Sequence, residues 1–559
     1  MKTTSGIRRI SRVPVVFISI LISVFPVALS GFSACMAMKE TVPDPVTLLT
    51  AEKVTVSATK SNAESITESV QPNVPKVISL AECVALALRR NTSIKLAYMD
   101  RVVQKFNFET STEYPFRPSV GIQTGVYRSG TRQTVPSSGE ANRRAFSGSV
   151  SVEQKLPTGG RIGLQWNPLD RESNIQTAPG YSTDITSRNQ VWRLGFSQPI
   201  GKGAGTGIGT LAIQEARIRE CMDLLTLKTT VMDTVTSVII AYRQFLQARW
   251  DVQINLTALD RAKTLLDTNK FLIKMERMAA QDIIQSESDL ANRELGLEIA
   301  RNSYDQARLN LIRLLDISRD TMIEPVEELE IPEFSLDEED VLQKAKKFQP
   351  AWLTMVQSAE WTRLQLFRAR NEQKLDIALS GSAGGSRTRG DSSVDMSLNN
   401  WDFSVVMNLP VSGTVRREIR QTLLAAETEL QKSSLSLRKF DDNLAIASRD
   451  KVRQIQTLEK QIKLAAKARD LSERKLEVEN IKLKAGKSTN FQIVSFQDEL
   501  RTARISELTM KISYLNALSD LDQFMGTVHL TWGIDIASST EPALPSKREI
   551  KDDSKTGTD

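Results

Sequence analysis

The stretch from Asp282 to Asp316 recurs 210 positions later as Gln492 to Gly526, which limits the chain to folds that use one long helix twice. Ile283 matches Ile493, Leu290 matches Leu500, Ser303 and Tyr304 match Ser513 and Tyr514, Ala307 matches Ala517, and Leu311 matches Leu521. In the first copy Ile283, Leu290, Leu297, Tyr304 and Leu311 fall every seven residues, a period that supercoils a helix on a neighbour. The second copy keeps the period but has Glu507 at its third place. One polar seam position is tolerable and helps to fix register.

Charged residues make up 25% of the chain and aromatic ones only 6%, a balance that suits long solvated helices better than a large globular core. Residues 1–34 carry Lys2, Arg8, Arg9 and Arg12, no acid, and the apolar run Val13 to Leu29, the pattern of a secretory signal peptide. Those four charges account for most of the net +6, leaving about +2 for a chain cut after Ala34. So nearly neutral a chain gives no electrostatic case for nucleic acid. No later segment reads as a run of roughly 20 apolar residues, so a membrane would have to be crossed by strands.

Of the three cysteines, Cys83 sits among Val84, Ala85, Leu86 and Leu88 as a small core residue, and Cys221 has no partner nearby in sequence. Cys35 follows Ser33 and Ala34 at the expected processing site, which makes it a candidate lipidation site, although Phe32 stands where Leu is usual. The one histidine, His529, argues against a multi-histidine metal centre or a histidine-dependent triad, and no cofactor is expected.

Residues 35–75 are rich in Thr, Ser, Glu, Val and Pro without period and read as an extended linker. Helix is predicted over Ile78 to Arg90 and Ser93 to Glu113, stopped by Tyr114-Pro115-Phe116-Arg117-Pro118. The period then falls to two. Val120, Ile122, Thr124 and Val126 alternate with Gly121, Gln123, Gly125 and Tyr127, and Trp192, Leu194 and Phe196 alternate with Arg193, Gly195 and Ser197, each run about the 9–11 residues of a membrane-crossing strand. Phe146 to Leu156 and Arg161 to Trp166 flank a Pro157-Thr158-Gly159-Gly160 turn. The second half has no counterpart to this hairpin, which is therefore expected at the rim of a sheet or outside it.

The second half otherwise repeats the plan: helix from Ser335 to Phe348, helix to about Glu372, then Leu375, Ile377 and Leu379, and later Trp401, Phe403, Val405 and Met407, at alternate positions. Each half leaves its last strand through proline, at Pro199 and Pro410, into a long helix. Ile208 to Leu272 alone is 65 residues, roughly 98 Å of helix.

Two copies of this plan behind a signal peptide, with Lys484-Ala485-Gly486-Lys487-Ser488-Thr489 turning into Phe491-Gln492-Ile493-Val494, resemble the TolC-like outer membrane efflux proteins, or outer membrane factors. The resemblance covers about residues 76 to 527: a first repeat at 76–320, a second at 330–527, and a polar tail at 528–559. It implies a mostly α protein with membrane β: a homotrimer whose long coiled-coil helices form a periplasmic barrel joined to a shared transmembrane β-barrel. Such proteins are passive exit ducts that meet a periplasmic adaptor and an inner-membrane pump. Two physical demands agree with it, since open strand edges are not tolerated in lipid and heptad seams need neighbours.

The family's helix tip carries glycine and, six residues on, aspartate, and charges there help to hold the periplasmic entrance shut. Here the second tip keeps Gly486 but has Gln492 and, three residues further, Ser495. The first tip has Glu276 for glycine but keeps Asp282, with Arg277 nearby. Asp282 and Arg277 are thus the expected gate pair, though an ordinary solvated ion pair accounts for the same residues. Gly201 to Gly207 lacks the closing Gly-Lys-Ser/Thr of a phosphate loop and suits a flexible strand-to-helix turn. Trp166, Trp192 and Trp401 suit either interfacial girdles or sheet packing. Adjacent Asp498 and Glu499 point about 100° apart on a helix, a poor acid/base pair. No catalytic constellation assembles. The expected function is an outer-membrane exit duct for small molecules; the alternatives are type I protein secretion and a structural periplasmic coiled-coil protein.

Overall fold

The computed structural model describes residues 76–534 apart from 134–138, 179–180, 276–281, 327–330, 333–336, 391–394, 410 and 486. The predicted signal peptide, Cys35, the linker and most of the tail lie outside the described residues, as do Arg277, Gly486 and the side chain of Asp282. In chain order come β1 (Lys76–Ile78), α1 (Leu80–Arg90), α2 (Thr92–Glu113), β2 (Ser119–Gln133), β3 (Gly139–Lys155), β4 (Arg161–Ala178) and β5 (Tyr181–Pro199). Then follow α3 (Thr206–Gly209), α4 (Leu211–Lys274), α5 (Asp282–Leu315), β6 (Ile323–Pro325), α6 (Glu338–Phe348) and α7 (Pro350–Glu372). The chain continues through β7 (Asp376–Gly390), β8 (Asp395–Asn408), α8 (Gly413–Lys484), α9 (Asn490–Met525) and α10 (Val528–Thr531).

The chain divides into two units. One, built on residues 110–212 and 370–417, is a six-stranded sheet in the order β2-β3-β4-β5-β7-β8 with every neighbouring pair antiparallel. This corrects the expectation for the hairpin around Thr158. β3 and β4 are interior strands paired on both sides, because the alternation in 146–166 extends outward through polar residues that a short-window reading assigns to loop. The Pro157–Gly160 turn sits at the end of the sheet where strands give way to helices: Gly205 N–H donates to Thr158 O at 3.1 Å. Gly159 has φ of +87°, and any side chain there would collide with Gly203 O.

The other unit is helical. Ser79 starts α1 through a capping box with Glu82, and Pro350 takes the first position of α7, where its missing N–H costs nothing. The short parallel pair β1 and β6 ties the segment before α1 to the one after α5. Beside it Ile78, Cys83, Tyr242, Phe245, Leu311 and Leu315 form a core, with the Tyr242 hydroxyl donating to Ile78 O at 3.2 Å. A second core joins Val84, Ile94, Val231 and Val235 to Val528 and Ile534. The region expected to be a polar tail therefore opens with core residues; its apolar positions are too few to give a period.

One 18-residue stretch of α4 is, contrary to the expectation from sequence, apolar enough by length and composition to cross a membrane. Half of it is buried, and Val235, Val238, Tyr242 and Phe245 on α4 are core residues of the helical unit, which explains the composition without a lipid environment.

Candidate functional site

The sheet has two chemically distinct faces. Register places Val120, Ile122 and Val126 of β2 beside Val152, Val150 and Phe146 of β3. The same face continues with Leu164 and Trp166, Leu194 and Trp192, then Ala383, and finally Trp401. Ile162, Phe196, Phe403, Val405 and Met407 complete it. The opposite face carries Gly121, Gln123, Ser149, Ser151, Gln165, Arg193, Ser382 and Asn400. Trp166 and Trp192 are directly opposite and 44% and 46% exposed, and Trp401 is 81% exposed. They belong to an exposed belt, not to sheet packing.

The belt runs obliquely. Its border away from the helices is Val126, Phe146, Trp166, Trp192 and Trp401, after which Arg128, Arg144, Asp170 and Gln190 follow on their strands. Traced through the pairing, this border slips six residues toward the helix end between β2 and β8. The other border, from Val120 through Val152, Ile162, Phe196 and Ile377 to Met407, slips by the same six. Six residues over five strand intervals of about 4.8 Å correspond to strands tilted roughly 40° from the normal of a level belt, within the range of closed barrels.

In the helical unit the polar residues that matter lie on α5 and α9, which the sequence marks as copies. Arg293 is 10% exposed and holds Asp289 one turn away and Asp498 on α9, each at 2.9 Å; Arg501 also reaches Asp498, at 3.1 Å. Burial raises Asp498, but hydrogen bonds from Arg293 and Arg501 outweigh it and hold the carboxyl below the usual range. Asp289 goes the other way: burial raises it beyond what Arg293 offsets, and its Oδ2 is buried without a hydrogen bond among the described residues. Arg261, Arg293, Arg501 and Arg504 line a cavity of about 10 Å³, room for one water-sized particle. Toward the tip, Asn269 of α4 donates to Ser286 of α5 at 2.6 Å and to Asn490 of α9 at 3.0 Å, and Asn490 donates to Ser286 at 2.7 Å, all three buried.

Only part of the tip expected from the sequence lies within this arrangement. Gln492 is occupied as the third residue of a capping box: Thr489 Oγ1 accepts from Gln492 N, and Gln492 Oε1 accepts from Thr489 N at 3.3 Å and from the Ser488 hydroxyl at 3.1 Å. Ser495 is exposed on α9. Sequence reasoning missed Arg293, Asp289, Asn269, Ser286 and Asn490, and dismissed Asp498. Their signal was present as polar residues three and four apart on a helix, but it is shared by any solvated face.

No family model and no curated protein sequence matches this chain. Solved structures do. The CmeC outer membrane channel of Campylobacter jejuni superposes with a TM-score of 0.57 at 14% identity, covering 80% of this chain and 86% of CmeC. VceC, an outer membrane protein of Vibrio cholerae, gives 0.58 at 14% identity over 80% of this chain and 96% of VceC. The open-state MtrE outer membrane channel of Neisseria gonorrhoeae gives 0.54 at 14% identity over 85% and 96%. The chain has the fold of the TolC-like outer membrane factors.

Proposed function

We propose that the protein is an outer-membrane exit duct: a homotrimer whose three sheets close into one barrel in lipid, with the helical units forming a periplasmic conduit. The carrying observation is the oblique exposed belt ending in Phe146, Trp166, Trp192 and Trp401. An exposed apolar belt of this size suits a lipid phase, and its matched six-residue slip suits a closed, tilted barrel better than a flat sheet. β2 and β8 are edges with unpaired backbone groups, and lipid cannot hydrogen-bond them, so other copies must. The structural likeness to outer membrane channels such as CmeC and MtrE supports the location.

In this reading the duct is passive and takes its cargo from an inner-membrane pump through a periplasmic adaptor, as in tripartite efflux. The Asp289-Arg293-Asp498-Arg501 cluster keeps α5 and α9 together near the entrance, and Asp282 and Arg277 add to the closure at the first tip. Membrane fractionation with gel mobility before and after heating tests it. A heat-modifiable trimer in the outer membrane is expected; a soluble monomer after signal removal overturns it. A signal peptide with Cys35 lipidated is compatible with either cargo route, and palmitate labelling lost in Cys35→Ala decides that point.

A further inference from the structure

We infer that the exit is an unusually wide, weakly charge-selective pore suited to bulky hydrophilic cargo; this rests on the trimeric barrel just proposed and concerns what passes through it. Three six-stranded sheets supply eighteen strands. At about 4.8 Å between strands and the roughly 40° tilt given by the belt, eighteen strands enclose a backbone cylinder about 36 Å across, whereas twelve, had the β3–β4 hairpin stayed outside the sheet, would enclose about 24 Å. The hairpin therefore changes the bore by half, and it is fully integrated: β3 pairs with β2 through fifteen consecutive residues, from Ser119↔Glu153 to Gln133↔Gly139.

The lumen face fills little of that bore. With the apolar belt toward lipid, most inward positions between its borders are small: Gly121, Gly125, Ser147, Ser149, Ser151 and Gly163, continued by Gly195, Ser380, Ser382 and Ser404, with Gln123, Gln165, Arg193, Asp402 and Val406 as the longer side chains among them. Glycines and serines face each other across strands, as at Gly121↔Ser151, Gly125↔Ser147 and Gly195↔Ser382, so few side chains reach inward. The inward charges balance within the belt and at its helix-side margin, and Arg143 and Arg171 lie beyond its outer border. Arg193 and Asp402 supply one of each sign within the belt; at the margin Glu153 and Arg161 pair at 3.5 Å, and Lys155 and Asp376 add one more of each sign. Within the belt such a lining offers hydroxyls, amides and balanced charges to a solute but no apolar track and no single-sign ring. Small amphiphiles need neither this width nor this polarity; hydrated polymers, oligosaccharides or polypeptide chains use both.

The test adds neutral polyethylene glycols of graded size to the barrel side of single trimers in planar bilayers and reads which sizes enter and lower the conductance. Entry from that side reports the barrel rather than the helical entrance. Polymers up to about 25 Å in hydrodynamic diameter should enter, as the cylinder minus its backbone and short side chains allows, and reversal potentials in a salt gradient should show less than threefold cation-over-anion preference. A cut-off near 14 Å overturns the inference while leaving the duct itself intact; failure to form trimers or channels overturns the underlying reading instead. Ser151→Arg, inward, should assemble and shift selectivity toward anions, whereas Val152→Arg, on the belt, should block assembly. The reverse pattern also overturns the assignment of faces.

Discussion

The two copies of the duplicated helix share a seven-residue seam yet bury different chemistry along it. In α9, Ile493, Leu500, Glu507, Tyr514 and Leu521 are all buried, and Glu507 is neutralised by Lys511 at 2.8 Å and Arg469 at 3.3 Å. In α5 the equivalents of the first two, Ile283 and Leu290, are only half-buried, while Ser286, Asp289 and Arg293 go inside. The positions matching these in α9 are Phe496, Glu499 and Ala503, and there Lys475 stacks over Phe496 at 4.0 Å and pairs with Glu499 at 2.7 Å. The two helices share the rod, but the tip half of α5 buries polar residues where α9 does not. An apolar seam fixes a helix permanently, whereas a buried ionic seam holds only while its partners are present.

Arg293 is the residue on which this difference between the copies depends most. Arg293→Ala leaves Asp289 and Asp498 without their main partner, and removal of one member of a buried pair costs about 3–5 kcal/mol, reduced here to about 2–3 because Asp498 is half-exposed. Raised single-channel conductance and a lowered Tm are expected; the Ala503→Leu variant of α9 should leave conductance unchanged. Next in size, Asn269→Ala removes the donor common to Ser286 and Asn490 and should cost about 1–3 kcal/mol by chemical denaturation. Conductance at low salt should rise for Asp282→Ala too, by less than for Arg293→Ala. Asp498→Ala should exceed Asp282→Ala, because Asp498 accepts from two arginines.

Acid separates the two carboxylates of the cluster. Asp498 is held below its ordinary range, so its stabilising contribution is full above the unfolded carboxylate pKa and is lost as pH falls through the lowered value. Asp289 is raised, so its ionised form is a cost at neutral pH, and stability is gained as pH falls from its raised pKa to the ordinary one. Conductance should therefore stay low through mild acid and rise only below the ordinary carboxylate range, and Asp289→Asn should remove the mild-acid gain. His529 supplies a separate window: burial lowers it to about 4 from 6.5, so stability falls between pH 6.5 and 4, a slope that His529→Gln should flatten in Tm measurements. The smallest effect is expected for Gln492→Ala, a cap loss of about 0.5–1 kcal/mol with no change in conductance.

The rods and the first and last strands were legible because their periods are long or strict. Val120 to Val126 and Trp401 to Val405 alternate without interruption, and Ile493 to Leu521 keeps step for four heptads. β3 and β4 read as a short hairpin because the strands beyond Phe146 and Trp166 are polar, and only cross-strand pairing such as Arg128↔Arg144 and Asp170↔Arg188 shows that they continue. The ionic cluster between α5 and α9 was not legible. Arg293 and Asp498 are 205 positions apart, and nothing in either local sequence distinguishes an ion pair across two helices from a solvated one.

Whether the open sheet is one third of a closed barrel is decided at its two edges. Level belts on adjoining copies bring Trp401 of β8 against Val126 of a neighbouring β2, or one pleat away at Thr124 or Arg128. A chain carrying Trp401→Cys together with Val126→Cys, or with Cys at 124 or 128, should on mild oxidation in intact cells give covalent trimers at one of these registers, with neither single variant doing so. Covalent dimers as the largest species, or no cross-link at any of the three registers, would contradict closure by three copies.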